Sequence, residues 1–469
     1  MIRTLPNFAP RARSAALAPL LLSVAAIAAP VHAQTAPDAL AAARDAALAD
    51  ATAYDFVADL TSQVGPRQAA TEAEARARAW AVARLNAMGF ANVRVEPFQM
   101  PTWVRGEETA SIISPRVQPM AVTALGNSAA TPAGGMEGDL VIFHDLAAFD
   151  AAPDSAIRGK IVYIGHDMQR TQDGSSYGAF GVVRFMGPGR AAARGASAIV
   201  IRSVGTDDHR NPHTGNTNFP AGVAAIPAAA VSNPDADLIE RIAANGDGPV
   251  RIRLNLTPRN LGQQTSGNVL AEVPGSDPAA GIVVAACHLD SWDLATGAID
   301  DGAGCAIIAA AAQRVAAMGQ PRRTIRLLLA GAEEVGVHGG RAYGAAHAAD
   351  NHAVALESDF GADRVWRVSF KLPETAAALS TRIANYLAPL GIGRSNSPAG
   401  GGADIGALAA AGVPVIDLEQ DGTRYFDIHH TPDDTLDKID PQQIAQNVAA
   451  WVVTLSLLAN APETLGPGQ

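Results

Sequence analysis

The chain has 469 residues, long for one small domain, so two or three compact units are expected. Hydrophobic residues make up 48% of it, which excludes a globally disordered polypeptide and supplies a large core. A formal net charge of −11 argues against a nucleic-acid partner, which would call for a basic face, and two cysteines are too few for a disulfide scaffold.

Residues 1–33 read as an export signal. Arg3, Arg11 and Arg13 supply a positive start, Ala15 to Ala29 is apolar apart from Pro19 and Ser23, and Val31 and Ala33 are the small residues before a cleavage point near Ala33. The apolar stretch is short for a membrane span and Pro19 interrupts it, and nothing later could cross a bilayer, so the mature protein is expected to be secreted or periplasmic. Residues 34–105 form the first part of a host domain. Glu74 to Met88 is an amphipathic helix stopped by Gly89, and Val93 to Phe98 alternates like an edge strand.

The texture changes after Trp103-Val104-Arg105-Gly106. Short apolar runs at Asp139 to Phe143, Gly159 to Ile164 and Ala198 to Ile201 alternate with Pro/Gly punctuation and helical pieces at Gly189 to Gly195 and Asp235 to Ala244. Residues 106–258 are therefore expected to be a β-rich module inserted into the host. Its loop histidines His209 and His213 read as solvated or locally hydrogen-bonded. From residue 259 to 463 the host resumes: Ile282 to Ala286, Thr324 to Ala330, Val354 to Glu357 and Val413 to Leu418 are buried strands, and Cys305 to Met318 and Pro441 to Leu458 are helices, the second with Asp440 as N-cap. This alternation predicts an α/β fold, a mostly parallel sheet with helices on both faces. Residues 464–469 read as a loose tail.

At or just past these strand ends lie His288, Asp300, Glu333-Glu334, Asp359 and His430. Ligands from separate strands converge at the carboxyl edge of an open sheet. Zinc takes imidazole nitrogen and carboxylate oxygen. Two zincs about 3.5–4 Å apart need a bridging carboxylate and can clamp one hydroxide between them. Five ligands fit that plan: His288 and Asp359 for one metal, Glu334 and His430 for the other, Asp300 between. Glu333 is then free as general base. Asp290, two residues after His288, is placed to accept the other ring N–H, and Asp301 sits in the tight turn beside Asp300, where a cis peptide would be unsurprising. His429 could replace His430 on spacing alone. Asp293, Asp433 and Asp434 read as caps or surface, His338, His347 and His352 as surface, and Cys287 and Cys305 as two buried thiols rather than a bridge.

The segments H-L-D-S-W-D, D-D-G-A-G, A-E-E, E-S-D and H-H-T-P-D-D-T resemble the co-catalytic di-zinc aminopeptidase/exopeptidase family, and the likeness covers nearly the whole mature chain. The resemblance implies an aminopeptidase-type α/β domain, a protease-associated (PA) domain as the insertion, two Zn2+ per chain, action on dipeptides or short peptides, and a homodimer. It implies His288, Asp300, Glu334, Asp359 and His430 as ligands, deciding for His430 over His429, and Glu333 as base. Tyr425 is a candidate to assist the oxyanion, and Asp404 and Arg424 to read a substrate terminus. A retired binding protein on this fold would lack ligands, and a single-zinc glutaminyl cyclase-like enzyme would lack the first-metal histidine. Neither loss is present.

Overall fold

Apolar runs buried on both faces decide the centre of the fold. In the computed structural model, which describes residues 38–466, strand Ile282–His288 lies between Thr324–Ala330 and His352–Glu357, parallel to both. His352–Glu357 in turn meets Val415–Gln420 in parallel. Antiparallel strands extend the sheet: Arg259–Val273 and Ala91–Val104 on one side, Val365–Lys371 on the other, with Gly393–Arg394 at that edge. Alternate residues feed two cores. Val283, Ala285 and Cys287 pack with helices Ala303–Ala317 and Pro441–Asn460, while Val284 and Ala286 join Tyr343 and Leu408 on the opposite face. The expected mixed, mostly parallel sheet between helices is thus present. The export signal expected at residues 1–33 lies outside the described residues. Among those described, no helix is long and apolar enough to cross a membrane.

Several boundaries move for physical reasons. The edge strand runs on to Val104 through Pro97 and Pro101, which an edge tolerates because its outer N–H groups need no partner. The helix expected at Gly189 spans Val182–Ala193 and carries Pro188 inside it. A Cβ at Gly189 would sit 2.3 Å from the Asn218 carbonyl oxygen, and Val183, Gly187 and Ala191 are buried, so close packing outweighs local punctuation. Leu465, expected in a loose tail, is buried in the main core.

A second eight-stranded sheet is built wholly from residues between Glu108 and Leu256. Its four parallel strands, Met136–Phe143, Ile161–Ile164, Ala198–Arg202 and Ala228–Val231, are flanked by antiparallel ones. The chain leaves the first sheet at Val104 and re-enters at Arg259, and these two residues pair in one antiparallel ladder.

Asp440 caps the last helix as expected, accepting from the N–H groups of Gln442 and Gln443 at 2.7 and 3.2 Å. Trp451 on that helix is fully buried. Trp451→Ala is expected to cost about 3–5 kcal/mol through lost burial and the cavity left behind. An unchanged midpoint in equilibrium urea unfolding would contradict this packing.

Candidate metal centre

Each candidate ligand is delivered by a strand end. His288 is the last residue of its strand and pairs with Ala330, so Glu333 and Glu334 emerge beside it. Asp359 follows strand His352–Glu357 by two residues. His430 follows the short helix Tyr425–Ile428 and adopts φ 63°, an uncommon left-handed backbone. Asp300 lies between strand Ile282–His288 and helix Ala303–Ala317, joined to Asp301 by a cis peptide. That helix starts hard against the neighbouring strand end: a Cβ at Gly304 would sit 1.9 Å from the Ser358 carbonyl oxygen, so only glycine fits there.

Asp300 is the centre of the arrangement. Its Oδ1 lies 3.1 Å from His288 Nε2 and its Oδ2 lies 3.4 Å from His430 Nε2. Asp359 Oδ1 approaches His288 Nε2 at 3.4 Å, and Glu334 Oε2 approaches His430 Nε2 at 2.9 Å. Both histidines also have a backbone acceptor on the other nitrogen: His288 Nδ1 is 3.0 Å from the Asp290 carbonyl, His430 Nδ1 3.2 Å from the Thr214 carbonyl. With Nδ1 donating to a carbonyl, each Nε2 faces carboxylates, an arrangement satisfied either by a proton on that nitrogen or by a cation between them. Asp300 Oδ2 and Glu334 Oε1 are buried with no hydrogen-bond partner. Coordinating atoms of His288, Asp300 and Glu334 fall within 4.8 Å of one another, as do those of Asp300, His429 and His430, and of His288, Asp301 and Asp359.

The electrostatics follow from burial and mutual charge. Burial raises the Glu333 carboxyl to about 8, with His288 opposing and Asp359, Asp290 and Asp300 reinforcing the rise. Glu334 is raised well above the usual range by burial and by Asp300. Burial disfavours charge on His288, yet Asp359, Asp290 and Asp300 outweigh it and hold the imidazole well above its ordinary value. His430 goes the other way, to about 3, because burial and then the Arg184 guanidinium disfavour its charge.

Buried polar groups hold the loop that carries Asp300. Arg67 is wholly buried and donates to the carbonyls of Leu289, Thr296 and Gly297. Asp434 accepts from Ile299 N at 2.7 Å, so this residue, read as cap or surface, is a buried cap of that loop. Asp301 accepts from the N–H groups of His288 and Gly304, at 3.1 and 2.9 Å. The two cysteines are a correction: Cys287 and Cys305 form a disulfide, with Cα atoms 5.2 Å apart, a separation that sequence spacing does not reveal.

The remaining candidates divide. The Asp290 carboxylate is 3.6 Å from His288 Nδ1, farther than its own carbonyl, and instead accepts from Glu333 N at 3.0 Å. Tyr425 lines the cleft of about 360 Å³ that also exposes Asp300, Glu333, Glu334 and Asp359. Asp404 is fully buried with both oxygens unpartnered and does not line that cleft. Arg424 does not reach the cleft: its guanidinium is committed to Asp363 at 2.6 Å and to the Lys438 carbonyl at 2.7 Å. His429 stacks on His430, ring centroids 3.5 Å apart. His213 is locally hydrogen-bonded, to Asp207 Oδ1 and the His429 carbonyl at 2.7 Å each, whereas His352, read as surface, is buried against the Tyr343 hydroxyl. Two groups had no signal in the sequence, Tyr177 and Arg184. Both line the cleft, and both come from the segment that builds the second sheet.

The model of peptidase family M28 matches residues 268–455. Carboxypeptidase Q of Bos taurus is 34% identical over 419 residues, covering 88% of this chain and 86% of that protein. Carboxypeptidase Q of Homo sapiens is 34% identical over 417 residues with the same coverage. The crystal structure of a peptidase M28 precursor from Shewanella amazonensis SB2B superposes with a TM-score of 0.89 at 45% identity, over 92% of this chain and 98% of that one. A zinc aminopeptidase from Bacillus subtilis, 18% identical with a TM-score of 0.63 over 88% of this chain and 96% of its own, shares the fold.

Denatured, unreduced protein is expected to titrate no free thiol with a chromogenic disulfide reagent, and two after reduction. Two thiols before reduction would refute the Cys287–Cys305 bond.

Proposed function

The chain belongs to peptidase family M28 and is an enzyme of exopeptidase type, and on that premise we propose that it is an exported zinc exopeptidase of carboxypeptidase Q type, hydrolysing the terminal peptide bond of dipeptides or short peptides. The observation that carries this reading is the Asp300 carboxylate, which offers one oxygen to each of two histidines, each paired with one further carboxylate. His288 and Asp359 would hold one zinc, Glu334 and His430 a second, and Asp300 would bridge. The unpartnered oxygens of Asp300 and Glu334 fit that role, and the donor set of imidazole nitrogen and carboxylate oxygen suits zinc. When bound, such a pair supplies Lewis-acid polarisation of the scissile carbonyl and lowers the pKa of water.

The protein groups do the rest. Glu333, its backbone fixed by Asp290, takes the proton from the attacking water and returns it to the leaving nitrogen. Its raised carboxyl suits exchange in both directions near neutral pH. Tyr425, packed between Phe360 and Phe426, lines the same cleft and is the donor we assign to the developing oxyanion. Residues 106–258 are read as an inserted PA domain, supported by the exit at Val104 and return at the paired Arg259. Export after cleavage near Ala33, and a homodimer, belong to the same reading.

Glu333→Ala is expected to lower kcat on a dipeptide by about 10²–10⁴-fold while zinc content stays near that of wild type. Retained turnover would move the base elsewhere. Metal analysis should find about two zincs per chain, and chelation should lower Tm, with recovery on adding zinc. Metal-free protein that is as stable as loaded protein, and takes up no zinc, would remove the ligand assignment. The sign of the pH effect also follows. His288 is held charged without metal and must lose its proton to bind, so uptake releases protons and zinc affinity falls as pH is lowered. Calorimetric titration in buffers of different ionisation enthalpy reads this directly, and no proton release would contradict it.

A further inference from the structure

The parallel strands of the second sheet end at a cavity of their own. It holds about 170 Å³ and shares no lining residue with the cleft that exposes Asp300 and Glu333. His166 follows strand Ile161–Ile164 by two residues, and Arg202 ends strand Ala198–Arg202. Asn233 follows strand Ala228–Val231 by two residues and opens helix Asn233–Asn245. All three line the cavity. The carboxyl ends of parallel strands are where open α/β sheets place their ligands.

Each of the three carries polar atoms that the protein leaves unanswered. His166 is 7% exposed and its ring stacks on Phe180, centroids 5.5 Å apart, yet neither ring nitrogen has a hydrogen-bond partner. Burial, and then the Arg202 charge, push its pKa down to about 4, with the backbone at Arg202 and Ser203 opposing more weakly. The ring is therefore neutral near pH 7, with one N–H to give and one lone pair to offer. Arg202 spends Nη2 on Asp237, while its Nε is buried without a partner. Asn233 is 7% exposed; its Nδ2 is taken by Gly205 and Asp207, and its Oδ1 is buried without a partner. Unpaired groups of this kind are costly unless something polar enters. Charge narrows what can enter. Arg202 brings positive charge to this wall and is outnumbered by Asp167, Asp207, Asp208 and Asp237. Asp207 is occupied by His213 at 2.7 Å and Asp237 by Arg202, but the Asp208 side chain is 94% exposed, with His209 at 3.7 Å. A simple anion would face that excess of negative charge. A simple cation would leave two N–H donors unmet beside a guanidinium.

We infer that this cavity, lined by His166, Arg202 and Asn233 and separate from the metal cleft, is a binding site for a small zwitterionic α-amino acid. The His166 N–H and Arg202 Nε donate to its carboxylate. Asn233 Oδ1 accepts from its ammonium group, and the surplus of aspartates favours the same end. Met168 and Pro234 are the apolar lining left for the side chain, and the volume restricts that side chain to a small one. The inference goes beyond the exopeptidase reading and does not depend on it, because the site is built on the second sheet and uses none of the candidate metal ligands.

Equilibrium dialysis of isotopically labelled L-alanine against the full chain tests this. The comparison is His166→Phe, which keeps a ring against Phe180 and removes both nitrogens. Alanine held in the metal cleft is common to the two proteins and cancels in the difference. Wild type is expected to bind about one equivalent more than His166→Phe, one amino acid filling one cavity of this size. Labelled propionate and ethylamine, each carrying one of alanine's two charges, should show no such difference. Arg202→Met keeps the aliphatic stem and is expected to weaken the extra binding by roughly 10- to 100-fold, the range for a hydrogen bond to a charged group. It decides the matter if His166→Phe does not fold. Equal alanine binding by wild type and the folded variants overturns the inference and leaves the exopeptidase reading untouched. An extra equivalent of propionate or of ethylamine in wild type, held as tightly as alanine, overturns the assignment to an amino acid.

Discussion

Four carboxylates share one cleft at the edge of a sheet whose central strands are largely apolar, and the rest of the structure answers that concentration of charge. Asp300, Glu333, Glu334 and Asp359 repel one another in a poorly solvated space, which is why burial and neighbouring acids push Glu333 and Glu334 upward together. Cations of the protein are kept off the acids themselves. Arg67 spends its donors on three backbone carbonyls, and Arg184 stands behind His430. The histidines reach the acids with Nε2, while Nδ1 of each lies against a backbone carbonyl. Such a cluster costs stability unless protons or a bound cation offset its charge, and a bound cation would become part of the stability of the fold.

Rigidity around Asp300 follows from the same need. The loop between the central strand and helix Ala303–Ala317 carries the shared carboxylate, and it is held from every side: by Arg67 beneath, by Asp434 at Ile299, by Asp301 across to His288 and Gly304, and by the Cys287–Cys305 bond at its two ends. A bridging oxygen pair has to meet two partners at once, so an error in its position is paid twice. Fixing the loop by hydrogen bonds to backbone, rather than by side-chain contacts alone, keeps the carboxylate itself free for its ligands.

The order His288, Asp300, Glu333-Glu334, Asp359, His430 was legible because each lies at or just past the end of an apolar run, and the glutamate pair directly follows one, a poor place for an unpaired acid. Parallel strands then guarantee that such ends meet. What the chain order could not show depends on the meeting of distant segments. Arg184 sits in a stretch punctuated by Gly187, Pro188 and Gly189 that reads as broken but is the buried helix Val182–Ala193, and Tyr177 sits on the short helix Ser175–Phe180 before it. Spacing favoured His430 but left His429 open, and in space His429 stays within 3.7 Å of Asp300 while His430 also meets Glu334. Arg424 misled for the opposite reason: a cation near the site in sequence is consumed by Asp363.

The second sheet is more than an appendage, because the contacts joining it to the first converge on the site. Arg105, one residue beyond the exit strand, binds Asp293 in the loop between His288 and Asp300, and Thr214, whose carbonyl meets His430. His213 clamps the His429 carbonyl to Asp207, and Thr206 N reaches the Phe426 carbonyl. Glu108 closes this set by pairing with Arg105. These tethers are short, mostly buried and charge-assisted, so the two walls of the cleft are held at a fixed spacing rather than swinging freely. The spacing between the two walls is therefore set by where Arg105 and His213 pin the second sheet against the first, a property of the junction between the two sheets rather than of either sheet alone.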